Sequence, residues 1–488
     1  MPKWLPLVAT CSGTFMLLVY STIVTVALPS MAHDLHAGFG SLQWIVDVYT
    51  LALAGLLPGM GSLGDNLGRK RLYLAGLVLF GVATLVCGLA GEDTVLIAAR
   101  AVQGLAGAAM FSTLLPLIGL TYTGRDKGVA FAVWGAVAGA AAGIGNVAGG
   151  VLTQFLSWQW IFFGGVPVCA ITVALSAAVL IDDTGTATRI DYLGIVTFTL
   201  AAIGITFGII RGGEQGWGAP SAVLGLVAGL VMLLAFLLVE RTSSNPMIPL
   251  DLFRTREFNG TLVAAMGYYL AGFGALPVMS IWLQDGVGLA SLPTALVITV
   301  QPVAFFATSA VVGSALHRLP SHRTLGGGTV AVGLGNVLML TVDADSSWAA
   351  LVPGLILTGI GAGIVSPVLP AIAMSAAPES RSGVASAAAN CARQLGLALG
   401  IAVLGSVFHQ FSSGTGGDLR MRYASGLSAV FVVAAAVGLG SGLLALWLLK
   451  ERRPARRPAQ GRHLRPCHIS PSCPVQGGDQ SPRHRSAP

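Results

Sequence analysis

Charge is what this chain has least of: only 10% of its 488 residues are Asp, Glu, Lys or Arg. Soluble domains carry about 25%, so most of the chain must face lipid or pack inside a bundle. A secreted disulfide framework is also missing. Of the six cysteines, Cys11, Cys87, Cys169 and Cys391 lie in apolar runs and are expected as small buried hydrophobes. Cys467 and Cys473, with His463 and His468 nearby, make a faint metal pattern in a polar tail, and no metal site is expected. No Ser-His-Asp, metal-ligand or phosphate-loop constellation is visible, and no sizeable soluble domain, which argues against a polytopic enzyme. What remains is apolar: 54% hydrophobic residues and a mean hydropathy of +0.78.

A bilayer core takes about 20 apolar helical residues. Runs of that kind cover 5–28, 44–63, 72–90, 95–120, 130–152, 161–181 and 192–210, then 221–239, 261–283, 293–316, 324–342, 349–373, 383–408 and 424–449. The first exceeds the h-region of a signal peptide, and more spans follow it. An all-α polytopic membrane protein is therefore expected. The positive-inside rule orients it. With Lys3 inside, one set of connections carries Arg69, Lys70, Arg71, Arg125, Lys127, Arg189, Arg241, Arg254, Arg256, Arg318, Arg323 and Arg381. The other set carries only Arg211, Arg420 and Arg422 and is otherwise acidic. Both termini are thus expected in the cytoplasm. The net charge of +7 follows largely from these anchors and the tail, and gives no reason to expect a nucleic-acid partner. From 450 to 488 the chain lacks the apolar residues to fold alone and reads as a solvated basic tail, with weak attraction to anionic lipid as the second reading.

Several segments carry chemistry. Between the second and third runs stands Gly61-Ser-Leu-Gly64-Asp65-Asn-Leu-Gly68-Arg69-Lys70-Arg71, a glycine-rich turn with one acid and a basic triplet. In the fourth run Arg100-Ala-Val-Gln103-Gly104 puts a charge inside a span, where it normally faces a cavity or a partner. The fifth run contains Gly145-Asn146-Val-Ala-Gly149-Gly150. Asp47 is the acid deepest in any proposed span, and an ionised carboxylate there is costly. Counted from the same end of their helices, Asp47 and Arg100 lie at matching depths of roughly 5–8 Å, which predicts an Asp47–Arg100 ion pair between spans two and four. Arg393 lies roughly 15 Å into span thirteen, near the midplane.

The turn from Gly61 to Arg71 resembles the loop between spans two and three of the major facilitator superfamily. Arg100 to Gly104 looks like that family's Arg-x-x-Gln-Gly pattern, implicated in proton transfer. The fifth-span segment is similar to the Gly-Pro-x-x-Gly-Gly motif of drug:proton antiporters, with Asn146 in place of Pro, so a kink is in doubt. Trp158 to Pro167 resembles the opening of span six, with Gln159 replacing the usual Arg. The end of span one, Thr22-Ile-Val-Thr25-Val-Ala-Leu-Pro29, resembles the fourteen-span exporters, but Tyr20 stands where they carry Asp. Trp44-Ile-Val-Asp47-Val-Tyr49-Thr50 is similar to the Asp-containing second span of actinobacterial drug exporters. The segment from Gly313 to Arg318, followed by Arg323, is a degenerate echo of the first loop.

The resemblance implies two six-helix halves, residues 1–182 and 258–449, with two inserted helices at 183–257 and a tail at 450–488. It implies a monomeric plasma-membrane exporter of small lipophilic compounds, with protons as counter-substrate, lipid as surroundings, and no cofactor beyond the proton gradient. Asp47 and Arg100 would couple protons, and Gly61, Gly64, Asp65, Gly68, Arg69, Lys70 and Arg71 would form the cytoplasmic gate. Gly145, Asn146, Gly149 and Gly150 would form the antiporter-motif helix. Tyr20, Gln103, Phe111, Trp134, Tyr268, Tyr269, Phe306 and Arg393 are candidates for the central cavity. A carrier of the same fold that imports a metabolite is the alternative.

Overall fold

The computed structural model describes residues 3–181, 190–243, 246–316, 320–378, 381–413 and 418–450. The tail cysteines and histidines, Arg189 and the second basic turn around Arg318 lie outside the described residues. Fourteen helices among them are long and apolar enough to cross a membrane. They are α1 (Leu5–Asp34), α2 (Phe39–Leu67), α3 (Arg69–Leu89), α4 (Asp93–Thr121), α5 (Gly124–Phe155), α6 (Trp160–Val179) and α7 (Tyr192–Gln215). The rest are α8 (Pro220–Thr242), α9 (Arg256–Gly286), α10 (Ser291–Leu316), α11 (His322–Thr341), α12 (Trp348–Ser375), α13 (Ser382–Ser412) and α14 (Leu419–Leu448).

Each helix matches one apolar run, yet several overrun it. The first continues to Asp34 and the fifth begins at Gly124, because a helix stops where its backbone is capped, not where hydropathy falls. Gly68 supplies one such stop. Its φ of 93° lies in the region glycine alone enters freely, and its N–H bonds to the Gly64 carbonyl, so α2 ends and α3 begins at one residue.

One span is not a uniform helix. The α-helical part of α9 ends at Phe273, resumes over Leu276–Ile281, and finishes in a π-helical turn at Trp282–Gly286. Just before the break, the carbonyls of Ala271 and Gly272 accept from Asn336 Nδ2 at 3.0 Å and Gln301 Nε2 at 2.7 Å. Side-chain amides on neighbouring helices thus support backbone that lipid could not.

Helices α1–α6 share one apolar core, containing Tyr20, Tyr73, Phe80, Trp158 and Phe162. Helices α9–α14 share another, with Tyr268, Trp282, Phe408 and Phe431. Lipid gives no hydrophobic drive for helices to pair, so close packing of small residues does it. A Cβ on Gly274 would lie 2.7 Å from the backbone of Gly400, which sets how closely α9 and α13 approach.

The two halves meet along two seams, α2 on α13 and α5 on α10. The hairpin α7–α8 covers the first. It is held together at glycine contacts: a Cβ on Gly204 would lie 2.8 Å from Gly229. Its α7 touches both halves, through Thr199 against Gly55 of α2 and through Ile209, whose carbonyl accepts from Ser406 of α13 at 3.0 Å. At one end of the bundle α1 also meets α9, where Gln284 Nε2 donates to the Val26 carbonyl at 2.9 Å. At the opposite end, which carries the Gly61–Arg71 turn, α4 and α12 make no comparable contact among the described residues.

Candidate functional site

Arg100 is buried inside the first half. Its Nε donates to the Ile45 carbonyl at 3.0 Å, and Nη1 donates to the Tyr20 carbonyl at 3.2 Å and to Gln103 Oε1 at 2.7 Å. Its guanidinium lies 4.3 Å from the centre of the Tyr49 ring, a cation–π contact. Gln103 passes the network on, donating to Thr84 Oγ1 of α3 at 2.8 Å. Gln103, 0% exposed, therefore ties α4 to α3 and, through Arg100, to α1 and α2, inside the first half.

The expected Asp47–Arg100 ion pair is absent. Ile45 and Tyr49 are four residues apart and share the face of α2 that α4 covers. Asp47 is two residues from each and so points about 200° away. Asp47 and Arg100 thus lie at similar depth but on different faces of the α2–α4 contact. The face that carries Asp47 also carries Gln43 and Ala54, and it meets α13. Gln43 Nε2 donates to the carbonyls of Ile401 at 3.1 Å and Ala402 at 3.2 Å, and Cys391 Sγ donates to the Ala54 carbonyl at 3.3 Å. Asp47 is 0% exposed on this seam, and neither carboxylate oxygen has a hydrogen-bond partner. Gln43 is not among the residues singled out from the sequence, where its only signal is an uncharged polar residue immediately before the apolar run 44–63.

The turn between α2 and α3 is built around a local pair. Arg69 Nη2 and Nε donate to Asp65 Oδ1 at 2.9 Å and 3.2 Å across Gly68. Gly64 fits against Thr113 and Leu72, while a Cβ on Gly61 would meet nothing within 4 Å. Arg71 is exposed and Lys70 half-buried.

Along α5 the small residues face two ways. A Cβ on Gly145 would lie 2.3 Å from Thr22 Oγ1, and one on Gly149 2.6 Å from the Ile23 carbonyl, so these two let α1 approach. A Cβ on Gly150 would lie 2.6 Å from Ala295 of α10, across the second seam. Asn146, four residues before Gly150 and on the same face, is buried on that seam. With Asn in place of Pro, α5 runs from Gly124 to Phe155 without interruption.

The aromatic candidates separate. Tyr268 and Tyr269 meet edge-on at 4.8 Å between centroids, and Arg393 of α13 lies 5.0 Å from the Tyr269 ring. The structure brings these three together. Phe111 is half-buried against the core of the first half, and Trp134 Nε1 donates to Thr14 Oγ1 at 2.8 Å. Two others leave the cavity. Tyr20 is packed with Phe80 and Phe162, and its hydroxyl donates to the Ile161 carbonyl at 2.9 Å, so the residue replacing the family's Asp became part of the core. Phe306 is 41% exposed and lies against Gly139 in an apolar groove between α5 and α10.

Twelve helices in two halves, a hairpin inserted between them and polar groups on the seams define a transporter fold, and the chain belongs to the Major Facilitator Superfamily. That superfamily's sequence profile matches residues 10–192 and 261–478. The chain is 33% identical over 419 residues to the puromycin resistance protein pur8 of Streptomyces alboniger, covering 83% of this chain and 82% of that one. It is 34% identical over 444 residues to the cephamycin export protein CmcT of Amycolatopsis lactamdurans, covering 88% and 90%. A solved peptide transporter, POT in complex with sulfate, superposes with a TM-score of 0.68 at 13% identity, covering 91% of this chain and 94% of that one. At that identity the likeness speaks for the fold alone. The protein is an integral multi-pass membrane transporter.

Proposed function

We propose that the protein exports small lipophilic compounds, antibiotics or related metabolites, across the plasma membrane in exchange for protons, with both termini in the cytoplasm. Export is supported by relatives named for puromycin resistance and cephamycin export. Proton coupling is carried by one observation, the buried and unpartnered carboxyl of Asp47 on the seam between the halves.

A charge buried without partners is costly. The seam between α2 and α13 therefore accommodates Asp47 with its proton on. Losing that proton creates a carboxylate that needs water or a cation, and the seam must part to supply it. Protonation then favours the arrangement in which α1 meets α9, and deprotonation favours the other, which is the differential stabilisation that coupling requires. With the basic turn in the cytoplasm, the arrangement seen here is closed outward. Substrate binds beside Tyr269 and Arg393. Arg100 holds α1, α2 and α4 in register and does not itself exchange the proton. The Asp65–Arg69 turn acts at the cytoplasmic gate.

The test is gradient-driven dye movement in inverted vesicles for the parent and for Asp47→Asn. Movement that depends on the gradient in the parent and not in the variant supports antiport through Asp47. Unchanged gradient dependence in the variant removes Asp47 from the mechanism.

A further inference from the structure

Nothing in this cycle uses the end of the α7–α8 hairpin where α7 begins and α8 finishes, yet two carboxylates converge there. Asp191 caps α7, its Oδ1 accepting the Gly194 N–H at 2.8 Å. Glu240, in the last turn of α8, is only 3% exposed, and its Oε2 accepts the Ile248 N–H at 3.2 Å. Each acid thus spends one oxygen on backbone. The other oxygen of each, Asp191 Oδ2 and Glu240 Oε1, is buried with no hydrogen-bond partner.

Those two free oxygens border the same notch, which exists because residue 194 has no side chain. A Cβ on Gly194 would lie 2.8 Å from Asp191 Oδ2 and 3.0 Å from Glu240 Oε1. Among the described residues no cation pairs with either acid. Asp191 is the one charged group acting on Glu240 among the described residues. Arg241, next on α8, is exposed, Asp251 and Arg381 pair with each other, and Cys391 of α13, clustered with Phe198 and Phe236, donates to the Ala54 carbonyl. Two carboxylates with free oxygens at one small buried notch cannot both ionise without large repulsion.

We propose that Asp191 and Glu240 hold one proton between them, a second proton-binding site that lies on the inserted hairpin and outside both six-helix halves. The proton comes from the aqueous phase at that end and occupies the free oxygens. The oxygens bonded to Gly194 and Ile248 keep their partners throughout. The site reaches the second half mechanically: Ile248 packs with Leu252 and Phe258 against Ala385 and Ala388 of α13. Its existence does not depend on the export reading.

The test is pH-difference infrared spectroscopy on the purified full chain at equilibrium, following the C=O band of a protonated carboxyl. The variants are Glu240→Gln, which keeps the acceptor for Ile248, Asp191→Asn, which keeps the helix cap, and the double variant. A shared proton predicts that either single change removes one titrating carboxyl band and that the double change removes no more than either alone. Two bands, each lost only with its own residue, would mean two independent acids and overturn the proposal, as would spectra that neither variant alters. Loss of the band on adding Na+ or K+ at fixed pH would overturn it in favour of a metal cation. The assay involves no transport, so a failed efflux experiment leaves its outcome untouched.

Discussion

Gln43 reaches across from α2 to the carbonyl of Ile401 on α13 at 3.1 Å, one helical turn from Asp47. The same amide nitrogen bonds Ala402 at 3.2 Å. These bonds join the two halves directly, beside the one acid that proton coupling is assigned to.

Replacing Gln43 by Leu keeps the volume and removes both bonds. At about 0.5–1.5 kcal/mol each, their loss is expected to shift the balance of closed and parted seams by roughly 5- to 150-fold, since about 1.4 kcal/mol is tenfold. Distances between spin labels on α2 and α13 should lengthen. An unchanged distribution would count against a role in holding the seam.

Asp47 is expected to matter for coupling and not for stability. A buried ionisable group replaced by an apolar one of similar volume is often neutral or stabilising. Asp47→Leu should therefore unfold no earlier than the parent while losing gradient-dependent efflux. A large fall in melting temperature would show that the carboxyl has structural partners in the dominant state.

Arg100→Lys is not a conservative change here. Lysine has no fork to reach Ile45, Tyr20 and Gln103 together, and it loses the stacking geometry on Tyr49. A loss of about 2–4 kcal/mol is expected from the donors removed and the acceptor left on Gln103. Because Asp47 and Arg100 do not touch, Asp47→Asn combined with Arg100→Lys should be additive in stability within about 0.5 kcal/mol. A clear coupling energy in that cycle would restore the ion pair.

Two motif glycines, Gly149 of the antiporter-motif helix and Gly61 of the gate segment, should respond differently. Gly149→Ala drives a methyl to 2.6 Å from the Ile23 carbonyl and is expected to cost about 1–3 kcal/mol by overpacking. Gly61→Ala meets nothing within 4 Å inside a helix and should be neutral or gain up to about 1 kcal/mol. Thermal unfolding of the two purified variants separates them.

The Asp65–Arg69 pair is partly exposed, and such pairs contribute about 0–1 kcal/mol. Asp65→Asn should barely move the melting temperature. A slowed efflux rate with unchanged stability is the expected signature of a gate; an unchanged rate would make the pair a local helix-turn contact only.

The sequence by itself determined the number of spans and the resemblance at Gly61–Arg71, because these depend on hydropathy summed over a span and on residues that are neighbours in the chain. It also placed Asp47 and Arg100 at equal depth, since depth is a count of residues from a helix end. Tertiary structure alone decided the rest. Which way a helix is rotated depends on what packs against it, and that set Arg100 on Ile45 and Tyr49 and turned Asp47 to α13. Packing likewise put Tyr20 and Gln103 into the core of the first half, set Phe306 in a groove between α5 and α10, and gathered Tyr268, Tyr269 and Arg393. Nor could the notch at Gly194 be read from the chain: Asp191 and Glu240 are 49 positions apart, and only the close packing of α7 on α8 brings their free oxygens to one point.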